Sequence, residues 1–149
     1  DTSLSDESKE ALLRLRDSVT IARPTAELAR TIVYSPDMDG QADPGEVVWI
    51  PLQLEGENAA LRERAVVVVG RHDQYLLGML ISTRSEHSEH PEWLFIGSGF
   101  WNEDPKPSWV RMDRILLIPE SGIRRAGAMM PRRRFELIAA RLRGDYGWN

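Results

Sequence analysis

Gly45-Glu46-Val47-Val48-Trp49 and, beyond an acidic connector, Arg64-Ala65-Val66-Val67-Val68-Val69-Gly70 decide the fold. A β-branched apolar run closed by glycine has the composition and length of a buried strand. Arg64 at its mouth sets a permanent cation beside a rigid sheet, which suits a phosphate-bearing ligand better than a core. A third segment, Ser108-Trp109-Val110-Arg111-Met112-Asp113-Arg114, puts Arg111 and Asp113 two residues apart, on one face of a strand.

Outward from these segments the pattern predicts strands over 46–53, 64–70, 75–82, 92–96 and 109–118. Turns are predicted at 71–73, 85–91 and 102–107. Short strands joined by turns, with no helices between them, point to the α+β class built on a small SH3-like antiparallel barrel. After Pro119 the period changes. Phe135, Ile138, Ala139 and Leu142 fall at helical spacing between Pro131 and Gly144, so a C-terminal helix packs on the barrel. Residues 1–44 read as a polar extension and 45–149 as the barrel domain with its helix. In the extension, Ser5 with Asp6 and Glu7 suits a helix start, and Leu12, Leu15 and Val19 share one face. Pro24 restarts the chain into a second expected helix over 26–33, followed by turn chemistry from Ser35 to Gly45.

Composition narrows the function. A net charge of −4 argues against a protein that coats nucleic acid indiscriminately, but leaves room for a local basic site. No apolar run approaches the length of a membrane span. The absence of cysteine excludes disulfides and thiolate metal sites and leads to an expected cytoplasmic location.

Together the segments resemble the PemK/MazF family of toxin endoribonucleases, over residues 45–143. Gly45-Glu46-Val47-Val48-Trp49 is similar to the opening of the family's first strand. Arg64-Ala65-Val66-Val67-Val68-Val69 resembles its second, with Ala65 where the family carries proline. Ile81-Ser82-Thr83-Arg84 resembles the hydroxyl pair ending the third, and Val110-Arg111-Met112-Asp113-Arg114 its aliphatic-Arg-x-Asp strand. Gly122-Ile123-Arg124-Arg125-Ala126-Gly127 is similar to a segment carried by some members.

The resemblance implies a toxin of a toxin–antitoxin pair that cleaves single-stranded RNA at selected sequences without a metal or other cofactor. It also implies a homodimer whose RNA groove a flexible antitoxin segment occupies. In such chemistry the ribose 2′-hydroxyl attacks the adjacent phosphate, which needs a base, an acid and cations around the charged phosphorane. Arg64 then stabilises the transition state, Ser82 donates to a phosphate oxygen, Asp113 serves as base or orienter, and Arg111 is a second phosphate contact. Thr83, Arg84, Arg124, Arg125, Arg132 and Arg133 are the expected RNA contacts, with Arg134, Arg141 and Arg143 extending the basic footprint.

Plainer explanations exist for each residue. Arg64 could pair with Glu63 or Glu46, Ser82 and Thr83 could be turn hydroxyls, and Arg111 with Asp113 could be a surface ion pair. The arginine run could be a solvated helix start. His87, His90 and Glu92 have the look of a metal cluster, but Ser, Glu and Pro around them read as a loop too free to hold an ion. Trp93, Trp101 and Trp109 read as anchors before stacking platforms, and Trp148 as packed back or partner-bound. The rival function is a non-catalytic binding protein on the same fold, either a topoisomerase poison or a decayed toxin homologue.

Overall fold

The computed structural model describes residues 20–36, 41–52, 62–99 and 105–149. Eight strands follow in chain order: β1 (Ile21–Pro24), β2 (Glu46–Leu52), β3 (Arg62–His72), β4 (Tyr75–Ser82), β5 (Trp93–Gly97), β6 (Ser108–Arg111), β7 (Arg114–Pro119) and β8 (Arg124–Met129). One helix, α1 (Arg132–Asp145), completes the described elements. All pairings are antiparallel, in the order β1-β7-β4-β3-β2-β8, with β6 joining β4 to β5 as a branch. Where a small barrel was expected, the described sheet does not close: β1 and β8 end the main ladder and β5 ends the branch.

The valine run behaves as its composition dictates. Val66 to Val69 are buried at the centre of the ladder, and strand alternation sorts them. Ala65, Val67 and Val69 join one apolar cluster, whose other members include Phe135, Ile138, Ala139 and Leu142 of α1. Val66 and Val68 join a second cluster with Val48 and Ile50 of β2, Leu76 and Leu80 of β4, and Leu116 and Ile118 of β7. A sheet buried on both faces reads as a continuous apolar run rather than an alternating one. At Gly78 the ladder is tight, because an added Cβ would lie 2.2 Å from Val66 Cγ1 and 2.8 Å from Ile118 Cδ1.

The span expected as one strand over 109–118 is two. β4 pairs with β7 through Tyr75–Gly78 and with β6 through Ile81 and Ser82, and the chain between bulges out at Met112 and Asp113. Its backbone groups find partners elsewhere: Met112 N donates to Glu92 O, while Thr25 donates to Met112 O through its hydroxyl and to Asp113 O through its amide.

The same bonds explain why no second helix forms over 26–33. Thr25 and the 3₁₀ turn Thr25–Leu28 are held to the bulge, and β1 pairs with β7. Farther on, Ile32 N donates to Asn149 O and Asn149 N donates to Arg30 O, so backbone groups a helix would have used are committed to the last residues. β8 was not expected either. The first predicted helix (residues 5–19), Trp101 and part of the 102–107 turn lie outside the described residues.

Replacing Gly78 by Ala is expected to destabilise the protein by about 1–3 kcal/mol, the usual result of forcing atoms into a filled core. Urea denaturation followed by circular dichroism checks this. A midpoint no lower than that of the unaltered protein would mean the sheet relaxes there.

Candidate active site

Arg64 and Ser82 belong to neighbouring strands, each two residues beyond the last β3–β4 pair, Val66 with Leu80. Strand alternation turns both to the face that carries Val66 and Leu80. That face is the Val66–Val68 row, turned away from α1. Arg64 is half-buried, with Nε out of solvent.

The branch strands add to the same face. Ser82 opposes Trp109, Phe95 opposes Trp109, and Trp93 opposes Arg111. Val110 and Met112 turn the other way, into the core under α1. The bulge then carries Asp113 to where its Oδ1 accepts from Arg111 Nε at 2.8 Å. Arg114 reinforces the corner, donating to Asp113 O at 3.0 Å. The Tyr146 phenol is pushed above its usual value by burial first and then by the Asp113 carboxylate, which locates the end of α1 beside this corner.

Thr83 and Arg84 follow directly after β4 and are exposed. Arg84 N donates to Ser82 Oγ at 3.3 Å. The 3₁₀ turn Ser85–Glu89 then folds back so that His87 Nε2 lies 2.9 Å from the same oxygen. The imidazole stacks on Trp93, with ring centroids 3.6 Å apart and planes 13° from parallel. Burial holds His87 below its ordinary value, with Arg84, His90 and Arg111 acting in the same direction and Glu86 against them. Arg84, His87, His90, Glu92, Trp93 and Arg111 line an open pocket of about 460 Å³. His87 therefore stands beside Ser82. Among the described residues no three His, Cys, Asp or Glu side chains converge as metal ligands would. The loop composition concealed this contact; the signal lay in the five-residue spacing from Ser82, enough for one tight turn back.

The basic footprint is dispersed. Arg124 opposes Trp49, lies 5.5 Å above its ring and donates three bonds of 2.8–3.0 Å to Glu63. Arg125 turns to the opposite face and clasps Glu46, which is only 2% exposed, at 2.7 and 3.1 Å. Arg132 begins α1 above the Tyr34 ring and Arg133 beside it is exposed, both beyond the end of the strand that Arg124 opens. Arg134 donates to Ser98 O, Arg141 to Asp145 and Pro91 O, and Arg143 to Ile32 O.

Arg64 and Ser82 thus lie on one face of neighbouring strands and Arg111 on β6, whereas Asp113, expected on the same strand as Arg111, sits in the bulge beyond it. The family model for the PemK-like, MazF-like toxin of type II toxin-antitoxin systems matches residues 43–144. The chain belongs to the PemK/MazF toxin family. Comparison with curated proteins gives no match. Membership implies an antitoxin protein as partner for this toxin-family chain. Among the described residues no helix is long and apolar enough to cross a membrane.

Arg125 and Arg124 should separate cleanly on substitution. Arg125→Ala leaves the Glu46 carboxylate buried without its counter-ion, which typically costs about 3–5 kcal/mol. Arg124→Ala breaks an exposed pair and should change stability far less. Thermal melts of the two variants at neutral pH measure the difference, and equal losses would show that Glu46 finds water instead.

Proposed function

We propose that this PemK/MazF-family chain is a sequence-selective, metal-independent endoribonuclease that cleaves single-stranded RNA as the toxin of a toxin–antitoxin pair. The observation that carries the reading is that Arg64 and Ser82 fall on one face of neighbouring β3 and β4, with Arg111 brought to that face by strand pairing and bonded to Asp113. A guanidinium, a hydroxyl and a second guanidinium held by a carboxylate form a donor set for a phosphodiester.

In this site Arg64 binds the non-bridging phosphate oxygens and stabilises the charge that grows as the phosphorane forms. Donors fixed on a rigid sheet do this without reorganising during reaction. Ser82 donates to a phosphate oxygen and fixes the scissile linkage. Arg111 adds the second cationic contact, and Asp113 orients it. Thr83 and Arg84, exposed at the end of β4, continue the track for the flanking backbone, and Arg132 and Arg133 at the start of α1 contact the RNA backbone apart from it. Phe95, 54% exposed beside Trp109 with ring centroids 5.3 Å apart, offers a surface on which a splayed base can stack. A second copy of the chain completes the RNA groove, and a cognate antitoxin segment blocks it.

Arg64→Ala should lower cleavage by about 10²–10³-fold or more, the usual loss when a transition-state donor is removed. Folding should be little changed. A long single-stranded RNA incubated in excess chelator tests both levels of the reading. Cleavage leaving 5′-hydroxyl ends supports the mechanism, whereas strict metal dependence, or full activity of Arg64→Ala, overturns it.

The arginines at the start of α1 have their own test. Arg132→Gln with Arg133→Gln should weaken binding of an uncleavable RNA analogue similarly for all sequences, and the salt slope should fall by about 0.7 per lost contact. Cleavage-site preference should persist, because phosphate contacts position without reading bases. An unchanged slope would mark these arginines as a solvated face.

A further inference from the structure

His87 is placed as no other titratable group of the site is. Its Nε2 is one hydrogen bond, 2.9 Å, from the Ser82 hydroxyl to which phosphate binding is assigned. A nucleotide seated on Ser82 therefore brings its ribose within reach of that nitrogen. The ring is also held. It stacks on Trp93, and Trp93 is fixed by its ladder partner Arg111. The 3₁₀ turn is closed from both sides, by His87 N to Arg84 O at 3.2 Å and His90 N to His87 O at 3.1 Å. His87 also lines the open pocket.

The other groups are poorly suited to accept a proton. Arginine remains charged at any workable pH. One Asp113 oxygen already accepts from Arg111 Nε, and withdrawing it would release the guanidinium it orients. His72 belongs to the β3–β4 hairpin, against Asp73 and Arg30.

We propose that His87 is the general base of RNA cleavage at this site, an assignment that rests on the ribonuclease reading above. When RNA binds, the Ser82 hydroxyl turns its proton from Nε2 to the phosphate oxygen and frees that lone pair; as O2′ then attacks, the P–O2′ bond forms, the P–O5′ bond breaks, and the 2′-hydroxyl proton passes to Nε2. The departing O5′ keeps the electron pair of the broken bond and takes a proton from solvent. His87 later returns its own proton to solvent, leaving a 2′,3′-cyclic phosphate and a 5′-hydroxyl. The groups facing the ring are Arg84, Glu86 and His90 from its own turn and Arg111 from β6, with Glu92 also lining the pocket before β5. Burial and the cations among these favour the neutral imidazole, the form a base requires at neutral pH.

The sign of the pH dependence follows. A folded-state value below the ordinary one keeps His87 unprotonated near neutrality, and the rate falls as acid protonates it. The test is the pH profile of kcat/KM on single-stranded RNA for the unaltered protein, His87→Gln and His87→Ala. Binding of a 2′-deoxy-substituted RNA and thermal melts are measured alongside. We expect His87→Gln to cleave about 10²–10⁴-fold more slowly, the usual contribution of a positioned acid–base group, with binding and melting unchanged. The acid limb of the profile should vanish, and added imidazole should restore part of the rate of His87→Ala. Three results would overturn the assignment: His87→Gln as fast as the unaltered protein, a slowed variant that keeps the acid limb, or a loss explained wholly by weaker binding. An unaltered protein that cleaves no RNA at any pH would overturn the ribonuclease reading itself, and the His87 assignment with it.

Discussion

The bulge at Met112 and Asp113 is the constraint on which the site depends. β4 cannot pair with β7 along its whole length and also with β6, so the chain between those strands must step out of the ladder. A step of this kind exposes backbone donors and acceptors that are costly to leave unmet. Thr25 and Glu92 meet them, one from before β2 and one from the turn before β5. Bulges commonly re-aim a side chain beside a functional site. Here the step brings Asp113 back onto Arg111, which orients the last cation of β6 at a corner of the sheet.

Alternation across the strands accounts for the remaining geometry. Every second residue of β3 faces α1, so Ala65, Val67 and Val69 are spent on the main core, and Arg64 falls on the opposite row. The same parity brings Ser82, Trp109, Arg111 and Trp93 to that row through cross-strand pairing. It also divides Arg124 from Arg125. Adjacent in sequence, they point to opposite faces, one to exposed Glu63 and the other to buried Glu46. The Arg124 contact lowers the Glu63 carboxyl from its ordinary value, mainly through the hydrogen bonds between them, so that stabilisation fades as acid protonates Glu63. A charge run in sequence is therefore not a charge patch in space.

How much of this was legible depended on the range of the forces involved. The valine run, the hairpin at Asp73 and the Phe135–Leu142 helix are local patterns, and each appears where composition put it. Asp73 even takes the left-handed conformation (φ 54°) that hairpin turns favour and Asp tolerates. Arg64, Ser82, Arg111 and Asp113 were picked out as residue types in order along the chain; alternation and pairing turn the first three to one face, and Asp113 lies off the strand expected to carry it. What escaped was non-local. β1 and β8 are short edge strands stabilised by partners about 90 and 80 residues away, far outside any window of propensity. The split of the 109–118 strand is dictated by competition for β4, which no property of that segment reveals. His87 was hidden for the opposite reason, because polar loop composition masked a close local contact.

Residues on either side of the family-matched region extend the same logic. Trp148 is buried in the core under α1 and donates from Nε1 to Thr25 O at 3.1 Å. Thr25 in turn holds the bulge. Asn149 exchanges backbone bonds with Arg30 and Ile32, and Arg143 donates to Ile32 O, so the segment 25–32 is tied along its length to the end of α1 and the residues after it. Leu28 and Ile32 fill the same cluster as Phe135 and Met112. A buried indole that bonds the residue anchoring the Arg111–Asp113 corner couples packing to site geometry: whatever loosens Trp148 also loosens Thr25, and through it the position of Asp113 against Arg111. The site thus depends on residues on both sides of 43–144 as well as on the strands within it.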